Sequence, residues 1–407
     1  MAGEQMIKTW PVDVATGVAR RAWRRAKVVG PLVREPRIAA LKYTGPILGG
    51  LGRAMTMLYV GEAERAHEFE LFVGADANHD VPAPKELFRG SIASYMLQRA
   101  RIDRMASTVD VSLRQLFPLE KPAADGLLYR PFVDGHLEVA RDLTQQLRRV
   151  RSRSYRRLLR GQLRRSGWSA EVHTDAPALA TFWRELHEPY VRARFGKRVV
   201  LDTLDQMSAQ FGNGGRVLFV KEGDRVVAGT VLFHDFGGQG VLTYHRNGMR
   251  DPASTALVAE RTTMLELSLL RYAIDNRFRR IDLGFTRAIA NDGRFVHKRR
   301  LGCTFEPVVG APTLVVHCAP ALAPAFFARY SLLTGEPRAL TMHLGLDGST
   351  PRPRPQLYRG ALKGYLAPGV TTLHVHTSKA IEAAEREPYE KATREVAGDR
   401  DVLFDEA

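Results

Sequence analysis

The sequence predicts an α/β protein of the α+β kind, with a mixed, mainly antiparallel sheet flanked by helices. Three observations carry that expectation. The runs "RVLFVKE" (216–222), "RVVAGTVLFHD" (225–235) and "QGVLTYHRN" (239–247) are separated only by Glu222-Gly223-Asp224 and Phe236-Gly237-Gly238, which suit hairpin turns. A long apolar helix follows from Ser254 to Asn276, its start marked by "DPAST". Beyond it come a short strand (280–284), a basic element (292–302) and two more strands (304–310 and 313–318).

The remaining elements can be taken in chain order. Residues 1–39 hold Lys8, Arg20, Arg21, Arg24, Arg25, Lys27, Arg34 and Arg37 against three acids, and read as a basic N-terminal arm. Its middle suits a helix with Val14, Val18, Trp23 and Val28 on one face, able to lie on an anionic membrane or to dock on its own domain. Residues 40–130 read as an N-terminal subdomain, with strands at 54–60 and 68–74, a helix at 87–107 and turn formers at 117–126. Residues 141–165 contain ten arginines and one acid, Asp142. Leu143, Leu147, Val150, Ser154 and Leu158 recur at spacings of three or four, so one long basic helix with a single buried stripe is expected. So many like charges repel unless an anion or buried acids lie nearby. A strand (168–174) and two helices (177–196 and 200–212) lead into the three-strand run. Residues 321–378 read as a C-terminal extension containing the Pro/Arg stretch "GSTPRPRPQ", and residues 379–407 as a polar helix or disordered tail with nine acids and five bases.

Composition narrows the function classes. The chain has 407 residues, 44% hydrophobic and 26% charged, which is ordinary for a globular protein. Sixty Lys and Arg against 44 Asp and Glu leave a formal charge of +16, which favours nucleic acid, a phosphorylated cofactor or an acidic membrane face. Two cysteines, Cys303 and Cys318, cannot build a disulfide framework or a four-cysteine zinc site. A spanning helix and an apolar signal core are both missing, so the expectation is a cytoplasmic protein, peripheral at most to the inner membrane face. His374 and His376 alternate in "HVH", but metal sites need three or four converging ligands, and no metal site is expected.

The order helix, helix, three antiparallel strands, long helix, strand, helix and strand pair resembles the GNAT acyltransferase fold over roughly 131–320. Three features resemble its FemAB-like branch, including the CelD/BioF-type acetyltransferases. These are the basic stretch "SRSYRRLLRGQLRRSGW", the strand end Asp282-Leu283-Gly284, and a Lys-x-x-aromatic-Gly signature after an Asp-Gly loop. That signature is here Lys298-Arg299-Arg300-Leu301-Gly302, with Leu301 in place of the aromatic. The tandem halves common in that branch would make 40–130 a reduced first GNAT-like half.

The resemblance implies that the fourth strand (239–247) and the fifth (280–284) splay apart, and that an acyl donor lies in the gap. The donor's phosphates are expected at the start of the following helix, where free N–H groups favour negative charge. Arg246, Gly248, Arg250, Ser254 and Thr255 are the candidates there, although the usual Arg/Gln-x-x-Gly-x-Gly/Ala loop is absent. Lys298 is expected to bind a phosphate or a developing oxyanion, with Asp282 and Arg299 contacting substrate. Aminolysis needs proton removal from the amine and protonation of the leaving group. His245, His297 and Tyr244 are the acid/base candidates, with Tyr244 and His245 on opposite faces of their strand.

The function expected is therefore acyl or aminoacyl transfer to a small-molecule or peptide amine. The donor is acyl-CoA, acting as co-substrate rather than as a tightly bound cofactor, or aminoacyl-tRNA. The alternative is a non-catalytic GNAT-fold adaptor whose basic helices hold tRNA or an anionic membrane.

Overall fold

A computed structural model describes residues 37–46, 54–66, 69, 83–117, 126–165, 167–195, 201–234, 240–308, 311–336, 339–347 and 354–406. The basic helix expected near 10–30, nearly all of the strand expected at 68–74 and the turn at 236–238 lie outside these residues. The mixed, mainly antiparallel α/β architecture expected from the sequence is present, as two sheets with helices against them.

The seven-stranded sheet holds the three-strand run. β7 (Trp168–His173), β8 (Gly215–Glu222), β9 (Arg225–His234) and β10 (Val241–Met249) pair antiparallel in succession. Alternation along these strands decides what each face meets. Val217, Phe219 and Val231 pack with Phe182, Leu186, Met207 and Phe211, while Leu218, Val220 and Leu232 join the main core. Between β7 and β8, α4 (Ala176–Thr181) passes through a π-helical turn (Phe182–His187) into α5 (Glu188–Phe195), followed by α6 (Leu204–Phe211).

After β10 the long helix α7 (Thr255–Asp275) runs from Ser254, whose hydroxyl caps it, to Asn276. Its apolar side, Met264, Leu265, Leu267, Leu269, Leu270 and Ala273, is buried. The crossover returns the chain as β11 (Arg280–Arg287), parallel to β10. β6 (Phe132–Glu138) lies antiparallel on the far side of β11, and β12 (Thr304–Pro307) antiparallel beyond it.

The ten-stranded sheet unites distant parts of the chain. It runs β17 (Asp401–Glu406), β16 (Val370–Thr377), β15 (Ala339–Leu346), β14 (Leu333–Glu336), β5 (Leu127–Tyr129), β13 (Leu314–Cys318), β4 (Val111–Gln115), β2 (Ala54–Glu62), β1 (Ile38–Pro46) and β3 (Lys85–Gly90). Strands β1–β4, from the first part of the chain, thus share one sheet with strands β13–β17 from the last part. The acidic tail is ordered here as α11 (Ala383–Ala397) and β17, which pairs parallel with β16.

Two expected helices change. The segment 87–107 is a strand to Gly90, and α1 (Ile92–Ala106) starts after Ser91, whose hydroxyl accepts from Ser94 N–H. The long basic helix is two, α2 (Leu143–Arg149) and α3 (Arg153–Leu163). Val150 and Ser152 are extended, and Ser152 caps α3 by accepting from Tyr155 N–H at 3.2 Å. The break frees the amides of Arg151 and Ser152 to donate to Arg300 O. Leu158, placed in the buried stripe by periodicity, is 45% exposed, and Leu159 is fully buried instead.

A local departure from regular pairing opens the sheet between β10 and β11. The two strands pair only at Val241↔Arg280, Leu242↔Ile281 and Thr243↔Asp282. Beyond Asp282, β11 shifts register against β6, and Gly284 sits at φ 73°, a conformation disfavoured for residues with a Cβ. No atom lies within 4 Å of the position a Cβ would take there, so substitution meets strain without collision. Gly284→Ala is therefore expected to lower the unfolding free energy by about 1–2 kcal/mol, measured by urea denaturation. An unchanged midpoint would show that the bend relaxes freely.

Candidate active site

The basic element of the sequence is α8 (Gly293–Leu301), fixed at both ends by local chemistry. Asp292 Oδ1 accepts from the N–H groups of Arg294 (2.9 Å) and Phe295 (3.3 Å). Gly302 ends the helix at φ 101°, where a Cβ would lie 2.6 Å from Arg149 O. Between these caps Lys298 reaches the bend of β11, and its ammonium donates to Gly284 O at 2.7 Å and Phe285 O at 3.1 Å. Asp282 Oδ1 accepts from Gly284 N–H at 2.8 Å. Asp282 and Lys298 therefore hold one bent piece of backbone. Gly135 of β6 makes room, since a Cβ there would come within 3.0 Å of Lys298 Cδ. Burial lowers the Lys298 pKa to about 8, opposed by Cys303, Asp282 and Asp134.

Next to this bend, Glu266 gathers the acid/base groups. It sits in the apolar run "MLELSLL" (264–270) of α7 and is 8% exposed. Its Oε2 accepts from the Tyr155 hydroxyl of α3, and its Oε1 lies 2.5 Å from His297 Nε2 of α8. The rings of Tyr155 and His297 meet edge to face at 5.7 Å. Tyr244, the first β10 residue past the last pair with β11, feels the Glu266 charge as well. Burial and then Glu266 push both phenols above the ordinary tyrosine value, so they remain proton donors. For His297 burial opposes the charged ring, but Glu266 outweighs it and the pKa rises. Arg294 lies within electrostatic reach of Arg194, Arg287 and Tyr190, and Tyr190 within that of Tyr244.

The sequence-predicted residues divide sharply. Tyr244 and His297 converge on Glu266, and Lys298 stands one helix position away. His245 faces elsewhere: it occupies a bulge in β10, and its ring meets Phe233 edge-on at 5.4 Å. Four of the five residues assigned to donor phosphate are engaged by the chain itself. Arg246 binds Asp202 Oδ2 at 2.8 Å. Gly248 permits contact with the π-helical turn, where a Cβ would lie 2.5 Å from His187 N, while His187 Nδ1 meets Asn247 O at 2.7 Å. Arg250 binds Val226 O and Glu185, and Ser254 caps α7 with Thr255 exposed beside it. Asp251, paired with Arg225 and Arg261, puts a carboxylate just before that helix. Arg299, assigned to substrate, donates instead to Leu366 O and Lys363 O at the end of α10 (Pro355–Tyr365). Burial and two neighbouring arginines lower its pKa to about 10.

Sequence reasoning misses Glu266 and Tyr155. The sequence does hold a signal for Glu266: a carboxylate inside an apolar helical run is buried, and a buried charge needs partners.

No family model and no curated protein matches the chain. Among solved structures, FemX is similar at 13% identity over 72% of this chain and 90% of that one, with a TM-score of 0.37. The C-terminal domain of a putative lysylphosphatidylglycerol synthetase from Agrobacterium fabrum is similar at 13% identity, 74% and 93% coverage and a TM-score of 0.33. A GCN5-related N-acetyltransferase from Kribbella flavida is similar at 12% identity, 77% and 68% coverage and a TM-score of 0.26.

Because His297 gains a carboxylate partner, its pairing with Glu266 stabilises the fold most at low pH. That contribution is complete below the ordinary histidine pKa near 6.5 and is lost as pH rises through the raised folded value. Glu266→Gln is expected to drop the His297 pKa below its wild-type value in an NMR titration. An unaltered titration would break the assigned pair.

Proposed function

We propose that this chain transfers an acyl or aminoacyl group from a phosphorylated carrier to an amine, at the opening between β10 and β11. One observation carries the reading. The strands part after three paired residues, and Tyr244, His297, Glu266 and Tyr155 gather where the pairing ends.

The chemistry suits these groups. His297, held by Glu266 at Nε2, takes a proton from the attacking amine, and Glu266 stabilises the imidazolium that forms. Tyr244 and Tyr155 keep their protons and donate to the oxyanion or to the leaving atom. A C–N bond forms, the carrier's C–S or C–O bond breaks, and the amine proton ends on the departing thiol or hydroxyl. Lys298 acts on backbone, holding the bend that separates the strands.

Two observations favour a polyanionic carrier, aminoacyl-tRNA, over acyl-CoA. Asp251 supplies a carboxylate near the helix start where a pyrophosphate was expected. Meanwhile Arg153, Arg156, Arg157 and Arg160 of α3, with Arg164 at its C-terminal cap, line an open depression of about 560 Å³. Tyr155 of the same helix reaches inward to Glu266, so one helix joins a cationic surface to the acid/base cluster.

Glu266→Gln and His297→Ala are each expected to slow transfer by about 10²–10⁴-fold with the circular dichroism spectrum retained. Wild-type rates in both would remove the mechanism. Melting shifts with acetyl-CoA, a long-chain acyl-CoA and an aminoacyl-tRNA identify the carrier, since a ligand specific to the folded chain raises the melting temperature. Binding of tRNA without transfer from any carrier would favour the adaptor.

Replacing Arg153, Arg157, Arg160 and Arg164 with Gln is expected to flatten the log K against log salt slope for tRNA by roughly 3. An unchanged slope would exclude this surface from binding.

A further inference from the structure

Three histidines from neighbouring strands meet on one face of the ten-stranded sheet, far in sequence from the acid/base cluster. His374 and His376 alternate along β16 and so project the same way. His343 of β15 is the register partner of His374, and Asp405 of β17 the partner of His376. One ring nitrogen from each histidine lies within 4.8 Å of the other two.

The surrounding contacts orient these rings. Thr334 Oγ1 lies 2.8 Å from His343 Nε2, which leaves His343 Nδ1 facing His376 Nε2 at 3.1 Å. Two nitrogens on one zinc-type ion, each bound at about 2.0–2.1 Å, stand about 2.9–3.4 Å apart for angles between square and tetrahedral. His374 Nε2 is taken by the Asp405 carboxylate, leaving its other nitrogen for a ligand. Carboxylates and hydroxyls on the outer nitrogen are what metal-bound histidines use to fix tautomer and direction. Phe327 closes one side, stacking on His376 at 4.2 Å and facing His343 at 5.2 Å. The opposite side opens past His374, whose side chain is 18% exposed, to the exposed Asp405.

We propose that His343, His374 and His376 bind a divalent transition-metal ion of the zinc type, with Asp405 and Thr334 orienting the rings. Three imidazoles without thiolate suit zinc, copper or nickel rather than calcium or magnesium. A bound ion ties β15 to β16, and through Asp405 it anchors the C-terminal strand β17.

The test uses the untagged full-length chain, stripped of metal by a chelator and titrated with Co²⁺ and then Zn²⁺. The expected result is one equivalent of Co²⁺ with visible d–d absorption, displaced by Zn²⁺, and a melting temperature raised by either ion. His374→Gln, at a partly exposed position, is expected to abolish the absorption with the circular dichroism spectrum retained. Asp405→Asn, at an exposed side chain and so still informative if His374→Gln misfolds, is expected to weaken Co²⁺ about 10–100-fold. No saturable binding by the stripped chain, or unchanged affinity in either variant, overturns the site.

Discussion

One ammonium group carries much of this architecture. Lys298 satisfies two consecutive carbonyls of β11 where the strand turns away from β10, and the Asp282 side chain accepts from the Gly284 amide just before them. Without such partners the bend would leave partly buried backbone polar groups unpaired, which is costly. The bend converts a continuous parallel pair into a gap, and the gap places Tyr244 beside Glu266. Lys298 itself depends on α8, whose caps, Asp292 and Gly302, are set in the sequence around it.

The same helix connects regions far apart in the chain. Its Arg300 carbonyl receives the amides of both Arg151 and Ser152, which is why the arginine-rich segment breaks there rather than continuing. Arg299 closes the end of α10, joining the C-terminal region to this helix. His297, between the structural Lys298 and the core, turns to Glu266. Three adjacent cationic residues thus do three jobs, because successive helical positions point in different directions.

The legible parts of the sequence are those with local causes. Ser254 and Asn276 bound the long helix, Asp292 and Gly302 the short one, and the turn at Gly223-Asp224 joins β8 to β9. The parting of β10 and β11, implied by resemblance rather than by any residue alone, is seen in their register. Partnerships across distance are not legible. Arg246, Arg250 and Arg299 display charge, but nothing near them in sequence reveals that Asp202, Glu185 and two carbonyls take it. Tyr155 lies 111 residues from Glu266, and His343 lies 33 from His376, so neither cluster leaves a compact motif. Ser152 misleads because arginine favours helix while a serine cap favours a start, and the docking of Arg300 decides between them.

The most direct measurement is hydrogen exchange at the β10 amides beyond Thr243 that face β11, with and without an aminoacyl-tRNA or acyl-CoA carrier. Fast exchange at those amides in the free chain, with strong protection once the carrier is bound, is the predicted result. Full protection in the free chain would show the strands joined along their length and would contradict the proposed opening.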